Sequence, residues 1–120
     1  MIRYYSQANT FYIIPGVRIL EDQLPQLQQA FEIGIKTKAG TILIDCRELE
    51  QLCAAGITLF VQQQDHFEKR RTRLGFFGIK PKILTVLENS GVIKHFFISA
   101  SEPALRKRFQ QTNAFPLTEK

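Results

Sequence analysis

The stretch Thr41-Ile42-Leu43-Ile44-Asp45, followed by a polar run to Leu52 and then by Cys53-Ala54-Ala55-Gly56-Ile57, constrains this chain more than any other. Three consecutive apolar residues put side chains on both faces of a sheet, so Ile42, Leu43 and Ile44 read as a central strand covered on both sides. Asp45 marks the end of that strand. Past the polar elbow, Ile57, Phe60, Val61 and Phe67 recur at helical spacing among Gln62, Gln63, Gln64, Asp65 and Glu68, which describes an amphipathic helix returning along the sheet. A strand-to-helix turn leaves backbone N–H groups facing solvent, where anions or partners can meet them, so the elbow is where function is expected.

The flanking segments complete an alternating pattern. Residues 2–5 and 11–14 are β-prone runs separated by Ser6-Gln7-Ala8-Asn9-Thr10, predicting an antiparallel hairpin at the sheet edge. Pro15-Gly16 breaks the second run before Val17-Arg18-Ile19-Leu20. Asp22 reads as the N-cap of a first helix, with Pro25 in its first turn and Leu24, Leu27, Phe31 and Ile35 as its apolar stripe through Lys36. Lys38-Ala39-Gly40 then turns the chain into the central strand. Residues 73–79 read as another buried strand, and Lys80-Pro81 opens a third helix whose apolar face is Ile83, Leu84, Val86 and Leu87. That helix closes on a glycine cap at Asn89-Ser90-Gly91. Residues 95–99 read as a last strand, Ser101 as the cap of a final helix, and the tail after about residue 110 as loose. The order β-β-α-β-α-β-α-β-α predicts an α/β fold: a mostly parallel four- to five-stranded sheet with an antiparallel N-terminal hairpin and about four helices.

Composition narrows the class. A chain of 120 residues is expected to form one domain over 1–120 and to hold a core without metal or disulfides. Its 44% hydrophobic and 22% charged residues argue against disorder, and no apolar run approaches the ~20 residues of a membrane span. The N-terminus lacks a signal-peptide pattern, so a cytoplasmic protein without membrane insertion is expected. Cys46 and Cys53 are too few for a disulfide framework and read as reduced thiols, with no zinc-ligand spacing and no cofactor motif around them. The basic groups Lys69-Arg70-Arg71 with Arg73, and Arg106-Lys107-Arg108, read as solvated helix ends. No nucleic-acid motif accompanies them, so direct nucleic-acid binding is not expected. His66 and His95 read as structural or surface residues in a helix and a strand respectively. The sequence leaves the oligomeric state open.

Four local patterns, in this order, resemble the STAS domains (sulfate transporter and anti-sigma factor antagonist) over nearly the whole chain. They are a Gly in the second strand before an extended segment and a helix (residues 11–20), an apolar strand ending in Asp45, Cys53-Ala54-Ala55-Gly56 where the family has Asp-Ser-Ser/Ala-Gly, and Leu87-Glu88-Asn89-Ser90-Gly91-Val92 followed by a strand and Glu102-Pro103-Ala104-Leu105. The resemblance implies a non-enzymatic bacterial signalling module that binds a protein partner, an anti-sigma factor or switch serine kinase, and acts in transcription regulation. In the family's antagonists the first Ser of the motif accepts phosphate from that kinase, and the added charge weakens docking. Ala54 holds that place here and has no hydroxyl, Cys53 replaces the Asp, and only Gly56 is retained. The implied module is therefore one without the usual phosphorylation site. The family also supplies accessory subunits of ABC-type lipid transport complexes, so a transporter ATPase is the alternative partner.

The candidate partner-binding residues are Glu48, Glu50, Leu52, Cys53, Ala54, Ala55, Gly56 and Thr58, with the elbow taken as residues 48–56. Each has a plainer reading. Ala54 and Ala55 are good helix formers, Cys53 is either a thiol tuned by the helix N-terminus or a small apolar residue, and Glu48 and Glu50 are either contacts for a basic partner or solvated loop carboxylates. Asp45 is expected to hold elbow amides, and Thr58, inside the first helical turn, to be a poor phosphoacceptor. No nucleophile, base and orienting group can be assembled, so no catalytic residue is assigned.

Overall fold

A computed structural model describes residues 1–112. Its elements are β1 (Arg3–Gln7), β2 (Thr10–Ile14), β3 (Arg18–Ile19), a 3-10 turn at Glu21–Gln23, α1 (Leu24–Thr37), β4 (Thr41–Asp45), β5 (Gln51–Leu52), α2 (Ala54–Lys69), β6 (Arg73–Phe77), α3 (Pro81–Asn89), a second 3-10 turn at Ile93–His95, β7 (Phe97–Ser99) and α4 (Glu102–Thr112). The main sheet has five strands in the order β1-β2-β4-β6-β7. β1 runs antiparallel to β2, and every other pairing is parallel. β3 and β5 form a separate two-stranded parallel sheet.

The triple Ile42-Leu43-Ile44 sits at the centre of β4 with each residue at 0% exposure, as a strand buried on both faces requires. Alternation sends Ile42 and Ile44 into one core, with Leu27 and Phe31 of α1, Phe60 and Phe67 of α2, and Ile83 and Leu87 of α3. Leu43 enters a second core with Tyr12, Phe77, Phe97, and Leu105 and Phe109 of α4. Three helices thus pack on one face and α4 on the other. Phenylalanine rings link the first core in series, Phe31 to Phe60 at 6.2 Å, Phe60 to Phe76 at 5.0 Å and Phe76 to Phe96 at 4.9 Å between centroids.

Several local expectations are corrected. The hairpin turn is only Ala8-Asn9, with Ala8 in the left-handed region at φ 55°, so Ser6, Gln7 and Thr10 belong to strands. The Asn9 side chain stabilises this tight turn by accepting the Gly40 N–H at 2.9 Å. Asp22 lies in the first 3-10 turn, and the cap of α1 is Gln23, whose side chain reaches back to accept the Leu20 N–H at 2.9 Å. His95 is in a 3-10 turn, because the Phe96 N–H bonds back to the Ile93 carbonyl at 3.2 Å before the strand begins. On α3 only Ile83 and Leu87 are buried, whereas Val86 is exposed. On α2, Gln63 and Gln64 are buried although they read as polar face, because they fall on the helical stripe between Phe60 and Phe67. Ser101 does cap α4, accepting the Ala104 N–H at 3.3 Å, and the Gly91 cap of α3 has φ 74°. α4 runs to Thr112, and the tail expected to be loose lies mostly outside the described residues.

Candidate functional site

The elbow is built by fastening residues 46–53 at successive points. Asp45 Oδ1 accepts the Arg47 N–H at 3.1 Å and its Nε at 3.0 Å, and Oδ2 accepts Nη2 at 2.7 Å. Burial pushes the Asp45 carboxyl up, but the Arg47 hydrogen bonds and charge outweigh it, so it titrates below its ordinary value. Asp45 therefore closes the strand end and holds an elbow amide, as its position implied. The Cys46 N–H bonds the Phe77 carbonyl at 2.9 Å, and Leu49 is fully buried, so the loop is drawn down onto the sheet. Burial holds the Cys46 thiol far above its usual range, which leaves it protonated and inert.

Further along, the N–H groups of Glu50 and Gln51 both reach the Val17 carbonyl, at 2.7 and 3.2 Å, and the Cys53 N–H reaches the Ile19 carbonyl at 2.9 Å. These bonds and the β3–β5 pairing tie the elbow to the segment entering α1. Cys53 is the extended N-cap of α2, and its carbonyl accepts the N–H groups of Gly56 at 3.0 Å and Ile57 at 3.1 Å. Both cysteines are free, Cys46 buried and Cys53 half-buried. Ala54, Ala55 and Thr58 are exposed on the first turns of α2, and Leu52 is half-buried beside them. Gly56 is buried, and a Cβ there would lie 2.9 Å from both Ile19 Cγ2 and Leu52 Cδ1, so any larger residue requires those side chains to shift.

The structure places the two elbow carboxylates in intramolecular pairs. Glu48 meets Arg3 at 3.1 Å, with both side chains mostly exposed. Glu50 is held by Lys80 on one oxygen and by Lys82 on the other at 2.6 Å. The Lys80 hydrogen bond and then that of Lys82 lower the Glu50 pKa to about 2. Sequence reasoning missed both lysines and the β3–β5 pairing. A signal for the lysines was present: two cations at the start of α3 oppose the helix dipole, an arrangement that calls for a nearby anion. Next to this clasp, a cleft of about 350 Å³ opens between elbow and α3, floored by Leu20, Leu52, Cys53, Ile83 and Val86.

The second basic cluster is not the solvated helix end it resembled. Arg106 donates to Glu102 at 2.9 Å, to Tyr12 Oη at 2.9 Å and to Thr10 Oγ1 at 3.0 Å, while the Tyr12 hydroxyl donates to Glu102 at 2.5 Å. Burial, with Glu102 adding to it, raises the Tyr12 pKa. Arg108 donates to the Ile98 carbonyl at 2.7 Å and lies over the Phe97 ring. These contacts fasten α4 to the sheet on the face opposite α2. In the first cluster, Lys69 pairs with Asp65 at 3.3 Å and Arg73 lies over the Phe109 ring. His66 is exposed, with its ring against Phe67. Among the described residues no group of three His, Cys, Asp or Glu side chains is placed to hold a metal, and no helix is long and apolar enough to cross a membrane.

Comparison with known proteins bears on what this arrangement is. No curated protein sequence matches the chain. Among solved structures, the chain is similar to an anti-sigma factor antagonist from Mycobacterium paratuberculosis at TM-score 0.81 and 15% identity, covering 92% of this chain and 94% of that one. It is also similar to the Bacillus anti-sigma factor antagonist SpoIIAA in its unphosphorylated form, at TM-score 0.75 and 16% identity, covering 94% of this chain and 100% of the other. A third likeness is to the murine Solute Carrier 26 family member A9 anion transporter, at TM-score 0.66 and 12% identity, covering 88% of this chain and 18% of that much longer one. At these identities the likenesses establish the fold. The STAS domain model matches residues 18–105, which run from β3 through the elbow into α4, and on that match the chain belongs to the STAS domain family.

Proposed function

We propose that this chain is a non-enzymatic, cytoplasmic protein-interaction domain, resembling a bacterial anti-sigma factor antagonist, that docks a protein partner through the elbow at residues 48–56. Its partner is an anti-sigma factor or a switch serine kinase, and its role is in the regulation of transcription. The observation that carries this reading is the exposure of Ala54 and Ala55 on the first turn of α2, at the mouth of a loop fastened to β3, β4 and α3. Small side chains there let a partner's backbone approach closely. Ala54 stands where the family's antagonists carry a phosphoacceptor serine, so phosphorylation at this position does not release the partner. The similarity in fold to anti-sigma factor antagonists supports the choice of partner class.

The test is to capture the main partner from native cells and titrate it with variants. Ala54→Glu places a bulky charge at the centre of the surface and is expected to weaken binding by ~2 kcal/mol or more with little change in melting temperature, since the first turn of a helix accepts acidic residues. Arg71→Glu, at the far end of α2, is expected to matter little. Equal affinity for wild type and Ala54→Glu would mean that the elbow is not the docking surface.

A second reading is an accessory subunit of an ABC-type lipid transport complex that docks on the transporter ATPase; the fold it needs is one the chain shares with part of an anion transporter. Gene neighbourhood separates the two: an adjacent kinase or sigma factor supports the first, and an adjacent permease and ATPase the second.

A further inference from the structure

We infer that β1 is a self-association edge, through which two copies of this chain pair antiparallel into one continuous sheet. β1 is the outer strand of the main sheet, and all five of its residues are exposed. Its register with β2 is one to one from Arg3 opposite Ile14 to Gln7 opposite Thr10, with no bulge. It contains no proline and one charge, Arg3. Such an edge lacks the usual protections against pairing with another strand. Of the exposed large hydrophobic residues, Met1, Tyr4 and Tyr5 cluster here, the two tyrosines at 47% and 46% exposure. The opposite edge, β7, is only three residues long and follows directly on a 3-10 turn, which makes it a poor template.

The hydrogen-bond phase selects one arrangement. A two-residue turn makes Gln7 and Thr10 the hydrogen-bonded pair, and alternation then assigns Tyr5 with Tyr12 and Arg3 with Ile14. The N–H and C=O groups of Tyr4 and Ser6 therefore point away from β2. A two-fold axis at Tyr5 sets Tyr4 of one copy opposite Ser6 of the other, and each such pair exchanges both of its main-chain hydrogen bonds. The same axis sets Tyr5 opposite Tyr5 of the second copy in the closer, non-hydrogen-bonded position. Tyr5 already stacks on Tyr12 at 4.5 Å with 8° between the rings, so the pairing extends that stack across the join.

Charge permits this register. Arg3 faces Gln7 of the second copy, and its charge is met by Glu48 of its own chain, so no like charges are opposed. The formal net charge of +5 repels a second copy only weakly once salt screens it. Edge pairing of two five-residue strands buries well below the ~800 Å² per partner of a stable complex. The dimer is therefore weak and concentration-dependent.

Sedimentation of the purified chain from ~5 to ~500 μM tests this range, in which such a weak dimer forms. A reversible monomer–dimer equilibrium is expected, with protection of the Tyr4 and Ser6 amides from hydrogen exchange rising with concentration. Ser6→Pro removes one outward N–H at an edge position that tolerates proline, and is expected to raise the dissociation constant by at least about tenfold while Ser6→Ala does not. Tyr5→Arg opposes like charges across the axis and should have the same effect, which covers the case where Ser6→Pro disturbs the hairpin. A monomer throughout, or a dimer indifferent to Ser6→Pro and Tyr5→Arg, overturns the inference. A dimer lost on Ala54→Glu and kept in the β1 variants overturns it too, and would place the contact at the elbow.

Discussion

Glu50 in the elbow and Lys82 on the first turn of α3 approach to 2.6 Å, with Lys80 on the other carboxylate oxygen, so two segments 30 residues apart in the chain are clasped by one carboxylate. The clasp offsets the two cations that α3 carries at the wrong end of its dipole.

The first prediction concerns the pH response of that clasp. The folded-state pKa of Glu50, about 2, lies below its ordinary 4.5, so the ionised form favours the folded state. Its contribution is complete above about 4.5 and is lost as pH falls toward 2. Carboxyl NMR titration of Glu50 is expected to show a depressed midpoint that rises in Lys82→Gln and in ~1 M salt, where charges more than ~3 Å apart are screened. An ordinary midpoint in the wild type would mean that the clasp does not persist in solution.

The second concerns Gln64. It is 1% exposed, and neither amide atom of its side chain has a hydrogen-bond partner. Methionine has similar length and needs no partner, so Gln64→Met is expected to stabilise the fold by ~1–2 kcal/mol in urea denaturation. Destabilisation would show that the amide is satisfied in solution.

The third concerns Gly56. With Ile19 Cγ2 and Leu52 Cδ1 each 2.9 Å from the place of a Cβ, Gly56→Ala must displace the side chains through which β3 and β5 pack on α2. The expected cost is ~1–3 kcal/mol, read from the shift in denaturation midpoint. An unchanged midpoint would mean that the elbow yields easily.

The fourth concerns phosphorylation. A kinase acting on related antagonists is expected to leave position 54 of the wild type unmodified and to modify Ala54→Ser, provided the surrounding surface still fits it. Mass spectrometry that finds phosphate on Thr58 of the wild type would show that the acceptor has moved along the helix.

Elements whose signals are local and repeated were legible in the sequence. Ile42-Leu43-Ile44, the stripe on α1, the caps at Ser101 and Gly91 and the start of α2 at Ala54 each follow from spacing or from one residue's backbone preference. What was not legible depends on partners distant in the chain. Gln51-Leu52 is a strand only because Arg18-Ile19 lies alongside it, and nothing in two residues announces that. Glu50 reads as a solvated carboxylate until Lys80 and Lys82 are folded against it, and Arg106 as a solvated cation until Tyr12, across the sheet, is seen to share Glu102. Gln63 and Gln64 read as polar face by residue type, whereas the spacing from Phe60 to Phe67 sets them on the buried stripe.

If the elbow is the docking surface proposed above, the β3–β5 pair also bears on the rate at which a partner leaves. With the loop held by the Val17 and Ile19 carbonyls, by Asp45 and by the clasp, docking does not have to freeze a wandering segment. Encounter with a preformed surface of this kind proceeds at a rate set by diffusion and orientation, which point substitutions at Leu52 or Ala54 alter little. On the proposed docking mode, their effects are expected in the lifetime of the complex and not in its rate of formation.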